Sequence, residues 1–569
     1  MKKIFMTQQR EESFPVGFSS TPASGGKDMG VARARLMMLV IAFCCIFSVV
    51  CGRLGWLMIG GDKGDPVGDE AFRSTTASAG RADIVDRNGV VLATSLVTQS
   101  LFVNPKMILN PEETAEKLAK VLPELAPCLL SKLQSEKGFV WLKRNLTPKQ
   151  QGAIYKLGLP GIGFQREEKR LYPQGRLFSH VLGTTDVDSR GISGIERYFD
   201  EALIHEREPL QVAFDVRVQH VLRDEVLKKI QETRSKGGSG LVMDVETNEV
   251  LAILSLPDAD PHHVNQAKKE ELFNMASLGV YEMGSTMKIL TTALALDSGA
   301  VTLQSSYDIS QPIRLGRFRI KDYHPKRMVA DVPQIFFHSS NIGMVKMIQE
   351  VGIKRHKEYL TRFGLLDPTF LELSEMWAPL VPARWQEASS MTISYGYGLS
   401  VSPVQIANAV AAVVNGGILR RPTLLKVDPK HPPAGVRVIS HKTSQHMRDM
   451  LRLVVQLGTG RKANVPGYDI GGKTGTAEKV EKGRYTRNNM VSFVAAFPMS
   501  QPKYLIMVMV DDPKGNESTH GFATAGWIAA PVVKNVVTRI APMLGVQPQL
   551  DLNEDSETTR LYNASMKTR

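Results

Sequence analysis

The sequence predicts an α+β architecture: one N-terminal membrane helix, an elongated αβ domain, and a C-terminal domain in which helices pack on an antiparallel sheet. Three observations carry that expectation. An apolar run lies near the N-terminus, mixed strand and helix signals fill the chain to about residue 236, and β-rich regions beyond it enclose a long, mostly helical stretch. At 569 residues, with 43% hydrophobic and 22% charged residues, the chain can form several domains that each bury a core.

The apolar run is "LMMLVIAFCCIFSVVCG", Leu36 to Gly52, interrupted only by Ser48 and continued past Arg53 by "LGWLMIGG". At about 1.5 Å per helical residue the extended run crosses a hydrocarbon core of about 30 Å. It lacks the short h-region and small-residue cleavage site of a signal peptide, so a retained anchor over residues 36–59 is expected. Lys2, Lys3, Arg10, Lys27, Arg33 and Arg35 precede it, whereas Asp62, Asp65, Asp69 and Glu70 follow. By the positive-inside rule, residues 1–35 are a cytoplasmic tail and everything after the span is exported. Arg53 either snorkels to the headgroups or touches another membrane helix. Cys44, Cys45 and Cys51 lie in the span and only Cys128 outside it, so the exported fold must rest on its core.

Residues 60–236 read as a separate αβ domain. In "ADIVDRNGVVLATSL" the dipeptide Asn88-Gly89 separates two apolar runs and predicts a hairpin. "NPEETAEKLAKVL" predicts a helix capped by Asn110 with Pro111 at its first position. Residues 237–548 form the second domain. It opens with an antiparallel hairpin in "GSGLVMDVETNEVLAILSLP" and closes with strands in "MVSFVAAFP" and "YLIMVMVDDP". "APVVKNVVTRIAPML" then predicts a terminal helix with Pro531 near its start, and residues 549–569 a loose tail.

The net charge of +13 would suit nucleic acid, anionic lipid or an acidic polymer. Zinc-finger spacing, RNP-like aromatic patterns and dense basic helices are all lacking, so no nucleic-acid partner is expected. His262-His263 has no further ligand at suitable spacing and reads as a loop pair, and Asp511-Asp512 reads as turn chemistry at a strand end.

The candidate site begins at "YEMGSTMKIL", where Ser285 stands three residues before Lys288 at the head of an apolar run. Spacing alone is weak support, since Ser500 and Lys503 in "SQPK" repeat it in a turn. A helix starting at Ser285 would put its N–H and hydroxyl at the positive end of the dipole and Lys288 on the same face. Lys288 can act as a base only when neutral, which asks the site for roughly 4 kcal/mol of destabilisation of the ammonium. A second cation is therefore required. Lys473 in "GGKTGTAEK", at the start of a predicted strand, is the candidate. In "HSSNIG", Ser339 can relay a proton and Asn341 can hold both the lysine and a substrate carbonyl; the alternative is a serine that merely caps the next helix.

In that order, S-x-x-K, S-x-N and K-T-G resemble the set shared by penicillin-binding proteins and class A β-lactamases. Other segments extend the resemblance: "ADIVDRNGVVLA", "RLYPQG…HVLG…GISGIERYFDEAL" and "YGYGLSVSPVQIANAVAAVVNGG". From the span to the last helix the chain is similar to the class B penicillin-binding proteins, and most to the cell-division peptidoglycan D,D-transpeptidases of the FtsI type. The resemblance implies that residues 60–236 are a pedestal, or dimerisation, domain and 237–548 a transpeptidase domain, needing neither metal nor cofactor. It implies that Ser285 attacks peptidoglycan stem pentapeptides, with Lys288 as base and Ser339 and Asn341 assisting. Lys473, Thr474, Gly475 and Thr476 would bind substrate, the Ser285 and Thr476 N–H groups forming the oxyanion hole. β-Lactams would acylate the same serine. It further implies an inner-membrane anchor with the catalytic domain in the periplasm at the septum, and a division glycosyltransferase of the FtsW type among other division-site partners. Arg53 and Trp56 are the candidate partner contacts.

Met283 and Met275 depart from the proline and arginine common in that family, and Ala82 replaces a glycine. An elongation-type class B enzyme would share all three motifs. A β-lactamase would need an efficient deacylating base, a bifunctional class A enzyme an added glycosyltransferase domain, and a β-lactam sensor would keep the serine without the transfer.

Overall fold

In the computed structural model the described residues are 37–38, 41–51 and 80–549, apart from Arg317, Pro429 and Lys482. Residues 41–51 are helical; among the described residues no helix is long and apolar enough to cross a membrane. The expected tail at 1–35, parts of the expected anchor at 36–59, Arg53, Trp56, and the expected C-terminal tail beyond Gln549 lie outside them.

The first domain grows from the expected hairpin. Strands β1 (Ile84–Val85) and β2 (Val91–Val103) pair antiparallel around Asn88-Gly89, with Gly89 at φ +85°. Asp86 fastens this turn: its carboxylate accepts the Asn88 and Val90 N–H groups at 2.7 and 2.9 Å and that of Val216, 130 positions on, at 3.2 Å. Helix α1 (Pro111–Val121) starts as predicted, with the Asn110 side chain accepting from Glu113 N–H. Strands β3 (Val140–Leu146) and β4 (Ile162–Leu171) both run antiparallel to β2, and Leu101, Val103, Leu118 and Leu142 form the core between sheet and helix. The short β5 (Leu210–Gln211) adds parallel to β1. Arg81 and Arg170 converge on the fully buried Glu196 at 2.5 and 2.7 Å, joining the start of the domain to the "GISGIERY" segment. Removing Glu196 would leave two buried guanidinium groups without the carboxylate they share, a kind of loss that costs about 3–5 kcal/mol.

The second domain has helices on both faces of one sheet. In chain order the main elements around that sheet are α2 (Val216–Glu232), which precedes the expected boundary at 236 but buries Val218, Leu222 and Val226 in the same core as Val242 and Val508, then β6 (Gly237–Asp244), β7 (Val250–Leu256), α3 (Lys288–Asp297), α4 (Val332–His338), α5 (Asn341–Val351), α6 (Pro403–Val414), α7 (His441–Gln456), β8 (Gly471–Glu481), β9 (Arg484–Phe497), β10 (Tyr504–Asp511) and α8 (Ala525–Met543). The antiparallel sheet has the order β8-β9-β10-β6-β7, leaving β8 as an edge. Period-two alternation sorts its side chains. Val491, Phe493, Ile506 and Val508 face α2 and α8, whereas Val494, Met507 and Met509 face the helical half containing α3 and α6.

One helix boundary differs from expectation. The terminal helix begins at Ala525, so Pro531 and Pro542 sit inside it rather than near its start. An interior proline forfeits a hydrogen bond and costs about 3 kcal/mol. Here Ala525, Ile528, Ala529 and Ala530 are fully buried ahead of Pro531, and their packing holds the first turns helical.

Candidate active site

Ser285 lies in a 3-10 turn, Gly284–Thr286, that leads into α3; the α-helix itself starts at Lys288, not at Ser285 as the sequence suggests. Tertiary packing causes the difference. Gly284 has φ +50°, and a Cβ there would stand 2.4 Å from the Thr476 carbonyl oxygen, so the turn is pressed against β8. From the other side Gly396, in the "YGYG" segment, accepts the Gly284 N–H at 3.1 Å; a Cβ on Gly396 would fall 1.9 Å from Gly284 O. Met283, which immediately precedes this turn, and Met275 are both buried in the core.

Lys288 and Lys473 are both wholly buried. Lys288 Nζ donates to the Ser339 carbonyl at 2.6 Å, to Asn341 Oδ1 at 2.7 Å and to Ser339 Oγ at 3.2 Å. Lys473 Nζ donates to the same Ser339 hydroxyl at 2.9 Å, and that hydroxyl donates to Ser285 Oγ at 3.1 Å. The hydrogen bonds of Lys288 thus reach Ser285 through Ser339. Burial, reinforced by the positive charge of Lys473, holds Lys288 well below the ordinary lysine range, with Asp322 opposing. Burial pushes Lys473 down to about 7.

The S-x-N turn joins α4 to α5 and divides its tasks between two serines. Ser339 ends α4 in the left-handed conformation, φ +57°, uncommon for a residue with a Cβ, and this turns its carbonyl and hydroxyl toward the lysines. Ser340 is the helix cap, its hydroxyl accepting the Gly343 N–H at 3.0 Å. The capping serine of this motif is thus Ser340, which leaves the Ser339 hydroxyl free to bond to the lysines. Asn341 Nδ2 donates to the Lys321 carbonyl at 2.9 Å, which fixes the amide with its oxygen toward Lys288.

Lys473, Thr474, Gly475 and Thr476 run along β8, the open edge of the sheet. Gly475 is required by its neighbours: a Cβ would lie 2.4 Å from both Ser492 Oγ and Thr286 Oγ1. Thr474 and Thr476 are the part-exposed residues on either side of it, and Thr474 Oγ1 is held 2.8 Å from Thr459 Oγ1. A site with two buried amines, a nucleophilic hydroxyl, a relay hydroxyl and an open strand edge can bind an extended peptide and transfer its acyl group.

Other singled-out residues have local partners. His262 and His263 bond to Asp260 at 3.2 and 3.1 Å, Asp511 pairs with Lys479 at 2.7 Å, and Ser500 N–H is taken by Asp469. Among the described residues no group of three or more His, Cys, Asp or Glu side chains could hold a metal. Sequence reasoning missed Gly396, Thr459 and Asp322. The "YGYG" segment was a signal for the first; the other two make their contacts only in the folded chain.

Residues 238–538 match the penicillin binding protein transpeptidase domain, and residues 76–243 the penicillin-binding protein dimerisation domain. The probable peptidoglycan D,D-transpeptidase FtsI of Caulobacter vibrioides is 38% identical over 547 residues, spanning 94% of this chain and 92% of its own length. The peptidoglycan D,D-transpeptidase FtsI of Escherichia coli K12 is 30% identical over 554 residues, spanning 90% of this chain and 92% of its own. The solved structure of penicillin-binding protein 3 from Mycobacterium tuberculosis, complexed with aztreonam, superposes with a TM-score of 0.66 at 25% identity, over 83% of this chain and 97% of that one.

Proposed function

We propose a reaction from one premise: this chain belongs to the class B penicillin-binding proteins. It is a peptidoglycan D,D-transpeptidase of the cell-division type. The observation that carries the mechanism is the pair of buried lysines meeting at the Ser339 hydroxyl, which in turn reaches Ser285.

Neutral Lys288 spends its two N–H groups on the Ser339 carbonyl and Asn341 Oδ1, which leaves its lone pair toward Ser339 Oγ. Ser285 Oγ attacks the penultimate D-alanine carbonyl of a stem pentapeptide, and its proton passes through Ser339 to Lys288. The Ser285 and Thr476 N–H groups take the developing oxyanion. The proton returns through Ser339 to the leaving nitrogen, the peptide C–N bond breaks, and D-alanine departs. An amine from a second stem peptide then attacks the acyl ester, giving its proton back along the same route to Ser285 as the cross-link forms. Lys473, Thr474 and Thr476 hold the substrate carboxylate, whose negative charge raises the proton affinity of Lys473 when bound. The stem peptide lies against β8 with Gly475 leaving room for its backbone. β-Lactams acylate Ser285 by the same first step.

The enzyme works at the septum, anchored in the inner membrane by residues 36–59 with its catalytic domain in the periplasm. It works with a division glycosyltransferase of the FtsW type, touched through Arg53 and Trp56. Arg53→Glu leaving co-purification with that glycosyltransferase unchanged would count against this contact. The reaction itself is tested by incubating the full chain with a stem pentapeptide and an amine acceptor. Wild type should release D-alanine and form the cross-link, and Ser285→Ala should do neither; D-alanine release by that variant at the wild-type rate would refute it.

A further inference from the structure

Asp322 follows the strand Phe318–Ile320 and is only 5% exposed. Its carboxylate accepts the Ser340 hydroxyl at 2.7 Å and the main-chain N–H groups of Asn341 and Ile342 at 2.6 and 3.1 Å. The neighbouring Lys321 carbonyl accepts from the Asn341 amide at 2.9 Å. Two consecutive residues of this segment therefore grip Asn341 at its main chain and its side chain. Ser340 caps only the Gly343 N–H of α5; the carboxylate takes the two N–H groups ahead of it and also holds the hydroxyl of the cap itself, so it fixes the whole turn and not one donor. A buried carboxylate so close to a base that must be neutral also works against that neutrality. Such a group is tolerable where holding the geometry outweighs the electrostatic disadvantage.

We propose that Asp322 is the positioning residue of the S-x-N turn: acting through Ser340 and the main chain of Asn341 and Ile342, it holds the Ser339 carbonyl and the Asn341 amide against Lys288. This rests on Lys288 being the base. The contacts that define the lysine's place are the Ser339 carbonyl and the Asn341 oxygen, both on the turn that Asp322 fastens. Misplacing catalytic groups by about 1 Å can cost on the order of a hundredfold in rate. The charged groups acting on Lys288 are Lys473 from β8, which disfavours its proton, and Asp322, which favours it. Removing the Asp322 charge therefore makes Lys288 easier to deprotonate, while removing the side chain lets the turn drift.

The test is the second-order rate of acylation by a fluorescent penicillin across pH, on the full chain, with folding checked by thermal melting. Asp322→Ala should lower the plateau rate more than tenfold. Asp322→Asn, nearly isosteric, should move the acid limb of the profile to lower pH. Ser340→Ala, which keeps the charge, should lower the plateau severalfold with the limb in place, and it stands in should Asp322→Ala not fold. A wild-type limb in Asp322→Asn, or a plateau within twofold of wild type in folded Asp322→Ala or in Ser340→Ala, would overturn the proposal. Lys288→Ala labelled as fast as wild type would instead overturn the base assignment beneath it.

Discussion

Replacing Lys473 by methionine removes a positive charge from a buried site while preserving length and volume. Both lysine ammonium groups bond to the Ser339 hydroxyl, at 3.2 and 2.9 Å, so their nitrogens lie no more than about 6 Å apart. At an effective dielectric constant of about 20, unit charges at that distance repel by roughly 3 kcal/mol, on the order of a hundredfold in a protonation equilibrium. The charge of Lys473 disfavours the proton on Lys288, so its loss raises the proton affinity of the base. Because Lys473 itself titrates at about 7, its charge acts chiefly on the acid side of the profile. Penicillin acylation by Lys473→Met should therefore have its acid limb displaced to higher pH and run at least tenfold slower at pH 7. The assay is the acylation rate constant measured over the pH range in which wild type stays folded. A limb that stays in place, or moves to lower pH, in a variant that melts like wild type would refute the electrostatic coupling.

The same substitution bears on stability. The folded state of Lys473 titrates at about 7 against an ordinary value of 10.5, so wild type binds fewer protons folded than unfolded in that window and should gain stability as pH rises through it. Lys473→Met should show a smaller rise in chemical denaturation, the remainder coming from the buried Lys288. His356 is wholly buried, has no hydrogen-bond partner for either ring nitrogen among the described residues, and is pushed down to about 3 by burial. Its contribution to stability is lost as pH falls from 6.5 toward 3, so His356→Phe should resist acid unfolding better than wild type, as read by melting at pH 4 against pH 7. Gly396→Ala would place a Cβ 1.9 Å from the Gly284 carbonyl at φ +101°, and should lower both the melting temperature and, more than tenfold, the acylation rate. Thr459→Val, which breaks only the hydroxyl contact to Thr474, should slow acylation severalfold with no change in melting.

What was legible in the sequence was local or chemically obligatory. The Asn88-Gly89 hairpin, the Asn110 cap and the β6–β7 hairpin each depend on residues adjacent in the chain. The second cation followed from chemistry: a lysine base needs help to lose its proton, and Lys473 meets Lys288 at one hydroxyl. What the sequence hid was imposed by contacts between distant segments. Ser285 sits in a 3-10 turn because Thr476 and Gly396 press on Gly284 from both sides. The terminal helix runs through Pro531 because residues ahead of it are buried on the sheet. Asp322 reaches Asn341 across 19 positions, a separation at which no periodicity or motif gives notice.

The most direct measurement is covalent labelling of the purified protein by a fluorescent penicillin, with the labelled peptide identified and the adduct followed in time. A long-lived acyl ester on the peptide containing Ser285, absent from Ser285→Ala, is the predicted result. Folded wild-type protein that takes no label, or label that persists in Ser285→Ala, would contradict the assignment of the nucleophile.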